Sequence, residues 1–342
     1  MQQNKFERHE GAPIVTSDPR LALIERLQNS IHDCLNEFML GEPFALVDFP
    51  NYRNVGDSAI WLGEIAYFKS RFGQAPAYVS EISDFSADAL EKAAPTGPIF
   101  IHGGGNFGDV WVRHQEFREE ILKRWPDRLI IQLPQSIHYS SSARADETAK
   151  IIEKNKNFVL LVRDEESKLF ADTRFNCDVR LCSDMALCIG ALSPAAPTYP
   201  ILAMLRTDKE KAGSYDLAPY PDMPVEDWLN ESKIAMRVVK LLARARSIGK
   251  NGSDAKLEKF NAAAGARLAR GVKQLSRGRA IVTDRLHVHI VSLLLGIPHA
   301  AMDNSYGKIG RFMAAFSGGT ALSYRAGSLD DAVAWATMNG RS

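Results

Sequence analysis

Long apolar runs are missing from this chain. The longest, 290–297, contains Ser292 and Gly296 and falls far short of the ~20 residues a helix needs to cross a bilayer. Cysteine is scarce as well. Cys34, Cys177, Cys182 and Cys188 form no CxxC pair and have no histidine at zinc spacing, a pattern of free thiols in a reducing compartment and not of a disulfide scaffold. Neither charge dominates: 42 Lys and Arg face 41 Asp and Glu, a formal net of +1, which argues against a general polyanion or nucleic-acid binder. Residues 1–10 lack the apolar core of a signal peptide, so a soluble, cytoplasmic protein is expected. Nucleotide fingerprints are absent too. The glycine-rich segment 102–109 has no Lys-Ser/Thr after it and does not read as GxGxxG with an acid about 20 positions on.

What is present is an alternation of short strands and helices. Runs at 44–49, 77–81, 98–102, 128–133, 158–162 and 179–182 favour strand, and helix-length stretches such as 57–72 and 107–123 follow most of them. This is the signature of parallel, doubly wound sheets. At 342 residues and 45% hydrophobic composition, two α/β domains are expected rather than one. The proline-rich segment 192–200 marks the division, with a mobile arm over 1–19, an N-terminal domain over 20–195 and a C-terminal domain over 196–342. A strand at 201–205 opens the second domain. The stretch 209–230, with Pro219, Pro221 and Pro224, reads as a non-helical loop. Charge is unevenly spread: 231–280 carries 13 Lys and Arg against 3 acids, a net of +10, while the rest carries 29 against 38, a net of −9. Two basic helices, 231–246 and 254–276, are expected there, and a solvated face is their ordinary explanation.

Ligands on doubly wound sheets sit beyond the carboxyl ends of the strands, so the residues at those ends are the candidates. Asn54-Val-Gly-Asp57 follows the first strand: Gly56 admits close backbone approach, while Asp57 or Ser58 can cap a helix or, for Asp57, act as a base. Gly103, Gly104, Gly105 and Asn106 follow the third, and three consecutive glycines are costly unless backbone must pass close to something. Gln132 to Tyr139 offers amides, a hydroxyl and an imidazole to sugar hydroxyls, or forms a polar turn. Arg163 ends another strand, where a guanidinium can grip a carboxylate or phosphate, or pair with a nearby acid. Arg206 and Asp208 end the strand at 201–205. Asp284, Arg285 and His287 stand between a short apolar strand and a helix start, where unpaired amides and the helix dipole favour anions. Asn304, Ser305 and Lys308 add donors from the next strand end. His289 and His299 read as structural.

Taken in order, Asn54-Val-Gly-Asp57, Gly103-Gly-Gly-Asn106, Arg163-Asp164 with Ser167, Ser183-Asp184, and Thr283-Asp-Arg-Leu-His287 with Gly296-Ile-Pro298 resemble the polysaccharide pyruvyl transferase family. Within it the chain looks like the bacterial exopolysaccharide ketalases. The resemblance implies an α/β fold of two Rossmann-like domains in a GT-B-like arrangement with an interdomain cleft. It also implies phosphoenolpyruvate as donor and a sugar diol, on a lipid-linked oligosaccharide, as acceptor. By the same likeness Arg285 and His287 are associated with the donor, and Arg163 is a clamp for its carboxylate. Asp57 as base is inferred from chemistry alone.

Such a transfer needs an acid for the methylene carbon, a base for the hydroxyls and fixed positive charge on the departing phosphate. Imidazole titrates near neutrality, which suits His287 to the acid or to the phosphate side. No step requires a cofactor and no cluster reads as a metal site; Mg²⁺ shared with phosphate would leave little trace in sequence. Two rivals use the same features: a GT-B glycosyltransferase holding a nucleotide diphosphate, and a non-enzymatic scaffold of a polysaccharide assembly complex docking through its basic helices. Those helices, 231–280, also suit weak peripheral attraction, without insertion, to anionic headgroups at the inner face of the membrane.

Overall fold

The computed structural model describes residues 18–38, 41–208, 211, 213–303 and 307–340. Residues 1–17 of the arm expected over 1–19 and the candidates Asn304 and Ser305 lie outside the described residues, while Asp18 caps and Pro19 opens the first helix instead of belonging to an arm. The first sheet contains β1 (Ala45–Val47), β2 (Tyr78–Ser80), β3 (Ile99–Ile101), β4 (Gly104–Gly108), β5 (Ile130–His138), β6 (Phe158–Val162) and β7 (Asp178–Leu181). Its order is β2-β1-β3-β5-β6-β7, with β4 on β5, and all of its pairings are parallel. The second contains β8 (Tyr199–Met204), β9 (Val225–Glu226), β10 (Gly278–Thr283), β11 (His299–Ala301) and β12 (Ser323–Arg325), in the parallel order β12-β11-β10-β8-β9. Helices α1 (Pro19–Leu35), α2 (Val55–Tyr67), α3 (Ala87–Ala93), α4 (Val112–Arg124), α5 (Ser142–Ile152) and α6 (Glu165–Arg174) belong to the first half. The second half has α7 (Lys233–Arg246), α8 (Gly252–Leu275), α9 (Leu286–Leu295), α10 (Lys308–Phe312) and α11 (Leu329–Asn339). Two Rossmann-like domains result, and none of the described helices is long and apolar enough to cross a membrane.

The strands are short and apolar because helices cover both faces; β1, β3 and β6 are buried throughout. Crossovers begin at side-chain caps, Asn54 for α2, Asp164 for α6 and Ser232 for α7. Asn54 therefore caps α2, where Asp57 or Ser58 was expected to. One apolar cluster runs through both domains, from Phe49, Val55 and Trp61 to Phe260, Leu268 and Leu286. Across the domain boundary Phe49 stacks on Phe260, with centroids 4.0 Å apart and planes 7° from parallel, and Trp61 Nε1 donates to Asn261 Oδ1 at 2.9 Å.

The glycine segment is not a free loop: Gly104–Gly108 forms β4 and pairs with the far half of β5. β5 in turn runs past Pro134 to His138, with a register shift between Gln132 and Gln135 that accommodates the proline. Because Phe107 and Gly108 belong to this strand, α4 starts at Val112 and not at 107.

Candidate functional site

The carboxyl ends of both sheets face a cavity of about 560 Å³ between the domains, whose lining includes Asn54, Asp57, Gly105, Asn106, Arg163, Arg285, His287 and Lys308. These expected site residues come from five segments: the start of α2, strand β4, the end of β6, the turn from β10 into α9 and the start of α10. Gly103 and Gly104 are not in the lining; a methyl group on Gly103 would lie 2.9 Å from the Pro134 carbonyl oxygen and one on Gly104 3.6 Å from Asp57 Oδ1.

Behind the cavity wall, in contact with Arg163 and His287, is Asp184, buried three residues past the end of β7. Its Oδ2 accepts from Arg163 Nη1 at 2.5 Å and lies 3.4 Å from His287 Nε2, while its Oδ1 accepts from the Ala186 amide at 2.9 Å. Burial opposes ionisation, yet His287, Arg163 and that amide hold the Asp184 carboxyl well below the usual carboxylate range. Arg163 is thus paired with an acid, and it remains on the cavity wall: Ser136 Oγ fixes its Nε at 3.1 Å. A methyl group on Gly105 would lie 3.1 Å from Arg163 Nη2 and 3.3 Å from Lys308 Nζ. Glycine here keeps open the space between two cations.

Arg285 is buried, and its Nη2 donates to Asp208 at 3.0 Å and to Asp227 at 2.7 Å. Two carboxylates therefore orient this guanidinium, while its buried Nε has no hydrogen-bond partner among the described residues. Arg206 pairs with the same Asp208 at 2.9 Å. Asp284, at the end of β10, accepts from the Arg206 amide and Tyr215 hydroxyl; burial raises its pKa despite them. It builds the strand ends and stands behind the cavity.

On the opposite wall Asn54 Nδ2 donates to Asp57 Oδ2 at 2.6 Å. His114, from the first turn of α4, also lines the cavity, and its Nδ1 lies 2.9 and 3.0 Å from the two oxygens of buried Asp48. Asp48 adopts φ +72°, unusual outside glycine and costly unless its surroundings enforce it. The carboxylate pins the ring through Nδ1, which places an oriented imidazole on the cavity wall.

Behind β4 lies a second buried pair. Glu64 accepts from the Gly103 amide at 2.9 Å and contacts His102 Nδ1 at 2.8 Å. Burial raises the Glu64 pKa against the pull of His102; for His102 burial acts downward, and Glu64 more than offsets it. This pair fixes the start of the glycine strand. Gln132 and Gln135, expected to meet sugar hydroxyls, are consumed internally: they bond Arg118, Asn106 and the His102 carbonyl. Arg118, pushed down to about 10 by burial, also takes Asn106 Oδ1 at 2.8 Å.

A second hollow of about 700 Å³ lies behind β8 and β9. Arg277 there pairs with Glu226 and Arg270 donates to the carbonyls of Trp228 and Arg53, and of the strand-end candidates only Arg206 lines it.

Asp48, Asp184 and Asp227 orient cavity residues without having been assigned roles from sequence. Asp184 had a signal, since Ser183-Asp184 follows a β-prone run. Asp227 follows a two-residue strand inside a proline-rich segment, and Asp48 meets His114 only after 66 positions.

The model of the family described as polysaccharide pyruvyl transferase matches residues 54–306. The chain belongs to that family. Its match starts at the cap of α2 and ends beyond β11, so it takes in most of the cavity lining, with Tyr52, Arg53 and Lys308 falling outside it. Among similar proteins, pyruvyl transferase 1 of Schizosaccharomyces pombe is 29% identical over 315 residues, covering 87% of this chain and 77% of its own. A crystal structure of a Klebsiella pneumoniae protein of uncharacterised function aligns with a TM-score of 0.53 at 20% identity, over 84% of this chain and 93% of that one. The latter likeness concerns the fold alone. As a member of the polysaccharide pyruvyl transferases, the chain is a transferase of polysaccharide biosynthesis.

Proposed function

We propose that the enzyme transfers the pyruvyl group of phosphoenolpyruvate to two hydroxyls of one sugar in a lipid-linked polysaccharide repeat unit, forming a cyclic ketal and releasing phosphate. The observation that carries this reading is the placement of Arg163 and Lys308 on either side of Gly105, with His287 tied to the same Asp184 as Arg163. A small dianion fits such a gap. Its carboxylate meets the Arg163 fork, and its phosphate meets Lys308 and the guanidinium of Arg285.

Protonated His287 gives its proton to the methylene carbon while a sugar hydroxyl attacks the adjacent carbon, passing its own proton to a base on the opposite wall. Asp57 or the Asp48-oriented His114 serves as that base. The tetrahedral adduct then expels phosphate into the fixed positive charge, and the second hydroxyl closes the ring as its proton passes to His287, which is restored, while the first base returns its proton to the departing phosphate. None of these steps calls for a redox cofactor.

Purified protein supplied with phosphoenolpyruvate and a lipid-linked oligosaccharide is expected to release phosphate and to add one pyruvyl mass to the acceptor. Release of a nucleoside diphosphate from a sugar nucleotide, with no turnover of phosphoenolpyruvate, would replace this reading with glycosyl transfer.

A further inference from the structure

Helix α7 has a solvent face that a surface helix of a soluble protein does not normally carry. Ser232 caps it, and of its 14 residues only Met236 and Ala243 are buried, on the side that rests on α8. Directly opposite, Ile234 is 74% exposed, Val238 51% and Leu241 66%, and just past the helix end Ile248 is 84% exposed. With 100° per residue, the 4-3-4 spacing of Ile234, Val238, Leu241 and Ala245 makes a single apolar ridge pointing away from the protein. Lys233, Arg237, Lys240 and Arg244 repeat that spacing one residue earlier, so a row of cations borders the ridge along its length. Residues 232–250 hold 6 Lys and Arg and no acid.

We infer that α7 is an interfacial helix that inserts its apolar ridge into an anionic lipid surface, with the cation row seated among the headgroups. Two features favour lipid over protein as the occupant. Lysine is depleted at protein interfaces, whereas an apolar face edged by Lys and Arg is the composition of helices lying in a headgroup layer. A second copy fits poorly as well. An antiparallel two-fold contact through α7 would set this cation row against its own image, with no carboxylate in 232–250 to neutralise it. Bilayer attraction is thus more than the electrostatics expected from the net charge of 231–280: the structure adds a row of side chains that gain by leaving water.

The position of α7 joins this inference to the proposed function, on which its lipid-linked acceptor depends. Leu229 lines the catalytic cavity and Lys233 begins α7, so three residues, at most about 14 Å of chain, separate them. Glu231 between them is anchored by Arg267 at 2.8 Å, and Arg270 of the same helix α8 binds the carbonyls of Arg53 and Trp228 at the cavity edge. A membrane-seated α7 therefore holds the cavity close to the headgroup layer, where the sugar of a lipid-linked acceptor begins.

The test is flotation of the full-length protein with vesicles of phosphatidylglycerol and phosphatidylcholine, compared with phosphatidylcholine alone. Wild type is expected to float with the anionic vesicles. The triple variant Ile234→Ser, Val238→Ser, Leu241→Ser is expected to lose at least about tenfold in partitioning at every salt concentration. Arg237→Gln, Lys240→Gln, Arg244→Gln should lose a similar amount and, with it, most of the salt dependence. All six side chains are exposed, so unchanged circular dichroism should confirm that both variants fold. A tryptophan placed by Leu241→Trp should shift to the blue on vesicle addition and be quenched by brominated acyl chains. The inference is overturned if wild type stays unbound at low salt, if the serine variant binds like wild type, or if light scattering finds a dimer that only the serine variant dissociates. Vesicle binding is read without turnover, so a failure of ketal formation does not touch it. Conversely, loss of binding should leave turnover of a soluble sugar diol unchanged.

Discussion

Gly56 of the N-terminal domain lies against the imidazole of His287 so closely that a methyl group on its α carbon would meet ring atoms at 2.5 Å. Gly56 follows the cap of α2, and His287 is in the first turn of α9. Gly56→Ala must therefore move the ring, and with it the contact to Asp184. A fall in kcat of at least about tenfold is expected from such a displacement, with the melting temperature shifting by only a few degrees. An unchanged kcat would show that the ring position is not critical.

His287→Ala should lower kcat by about 100-fold or more, the usual contribution of a positioned proton donor. Steady-state kinetics with phosphoenolpyruvate checks this. A near-normal rate would assign His287 to packing.

Arg163→Ala should weaken donor binding and, by leaving buried Asp184 without its guanidinium, should also lower stability. Loss of a charged hydrogen bond contributes about 1.5 to 3 kcal/mol, which corresponds to a rise in KM for phosphoenolpyruvate of roughly ten- to a hundredfold. A KM equal to wild type removes the guanidinium from the donor site.

Asp184→Asn leaves buried Arg163 without its counter-charge. Breaking a buried pair in this way costs on the order of 3 to 5 kcal/mol, so a clear drop in the urea midpoint is expected together with the loss of activity. The sign of the pH effect follows from the depressed pKa of Asp184: its contribution is present above the ordinary carboxylate range and fades as pH falls toward the folded value. In the variant this acid-side component should be missing.

His289 and His299 form a buried chain in the C-terminal domain: His299 Nδ1 lies 2.8 Å from the Ile297 carbonyl, His289 Nδ1 lies 2.8 Å from His299 Nε2, and Ser317 Oγ is 2.8 Å from His289 Nε2. This sequence of contacts suits two neutral rings, each with one donor and one acceptor. Burial lowers both pKa values, His299 to about 4. Folded-state values below the unfolded value of about 6.5 mean that stability is complete above 6.5 and declines as pH falls toward 4, by on the order of 3 kcal/mol for His299 alone. Urea midpoints measured from pH 8 to 4.5 should show this slope, and His299→Gln should flatten it. An identical slope in the variant would place the acid sensitivity elsewhere.

Much of the site was legible because strand ends announce themselves locally. A short apolar run followed by a polar or glycine cluster marks them at Asn54, Gly103, Arg163 and Arg285, and both parallel sheets follow from the same alternation. What sequence did not show has a common cause. β4 is a strand whose glycines carry no side-chain alternation to read, and β5 passes through a proline only because its register shifts there. Asp48 and His114, or Asp227 and Arg285, meet across 66 and 58 positions, and no local rule connects such pairs. Arg163 illustrates a third situation: clamp and ion pair were posed as alternatives, whereas one guanidinium has edges enough to pair with Asp184 and still line the cavity.

The stacked rings of Phe49 and Phe260, with the shared apolar cluster around them, also govern how substrates reach the site. A jaw that swung open at each turnover would expose those rings to water and part Trp61 from Asn261, a cost repeated with every cycle. Access is therefore expected through a standing mouth rather than by hinge motion. Selection then rests on the fit of an extended acceptor to a rigid entrance, and thermal unfolding should appear in calorimetry as a single transition with both halves melting together.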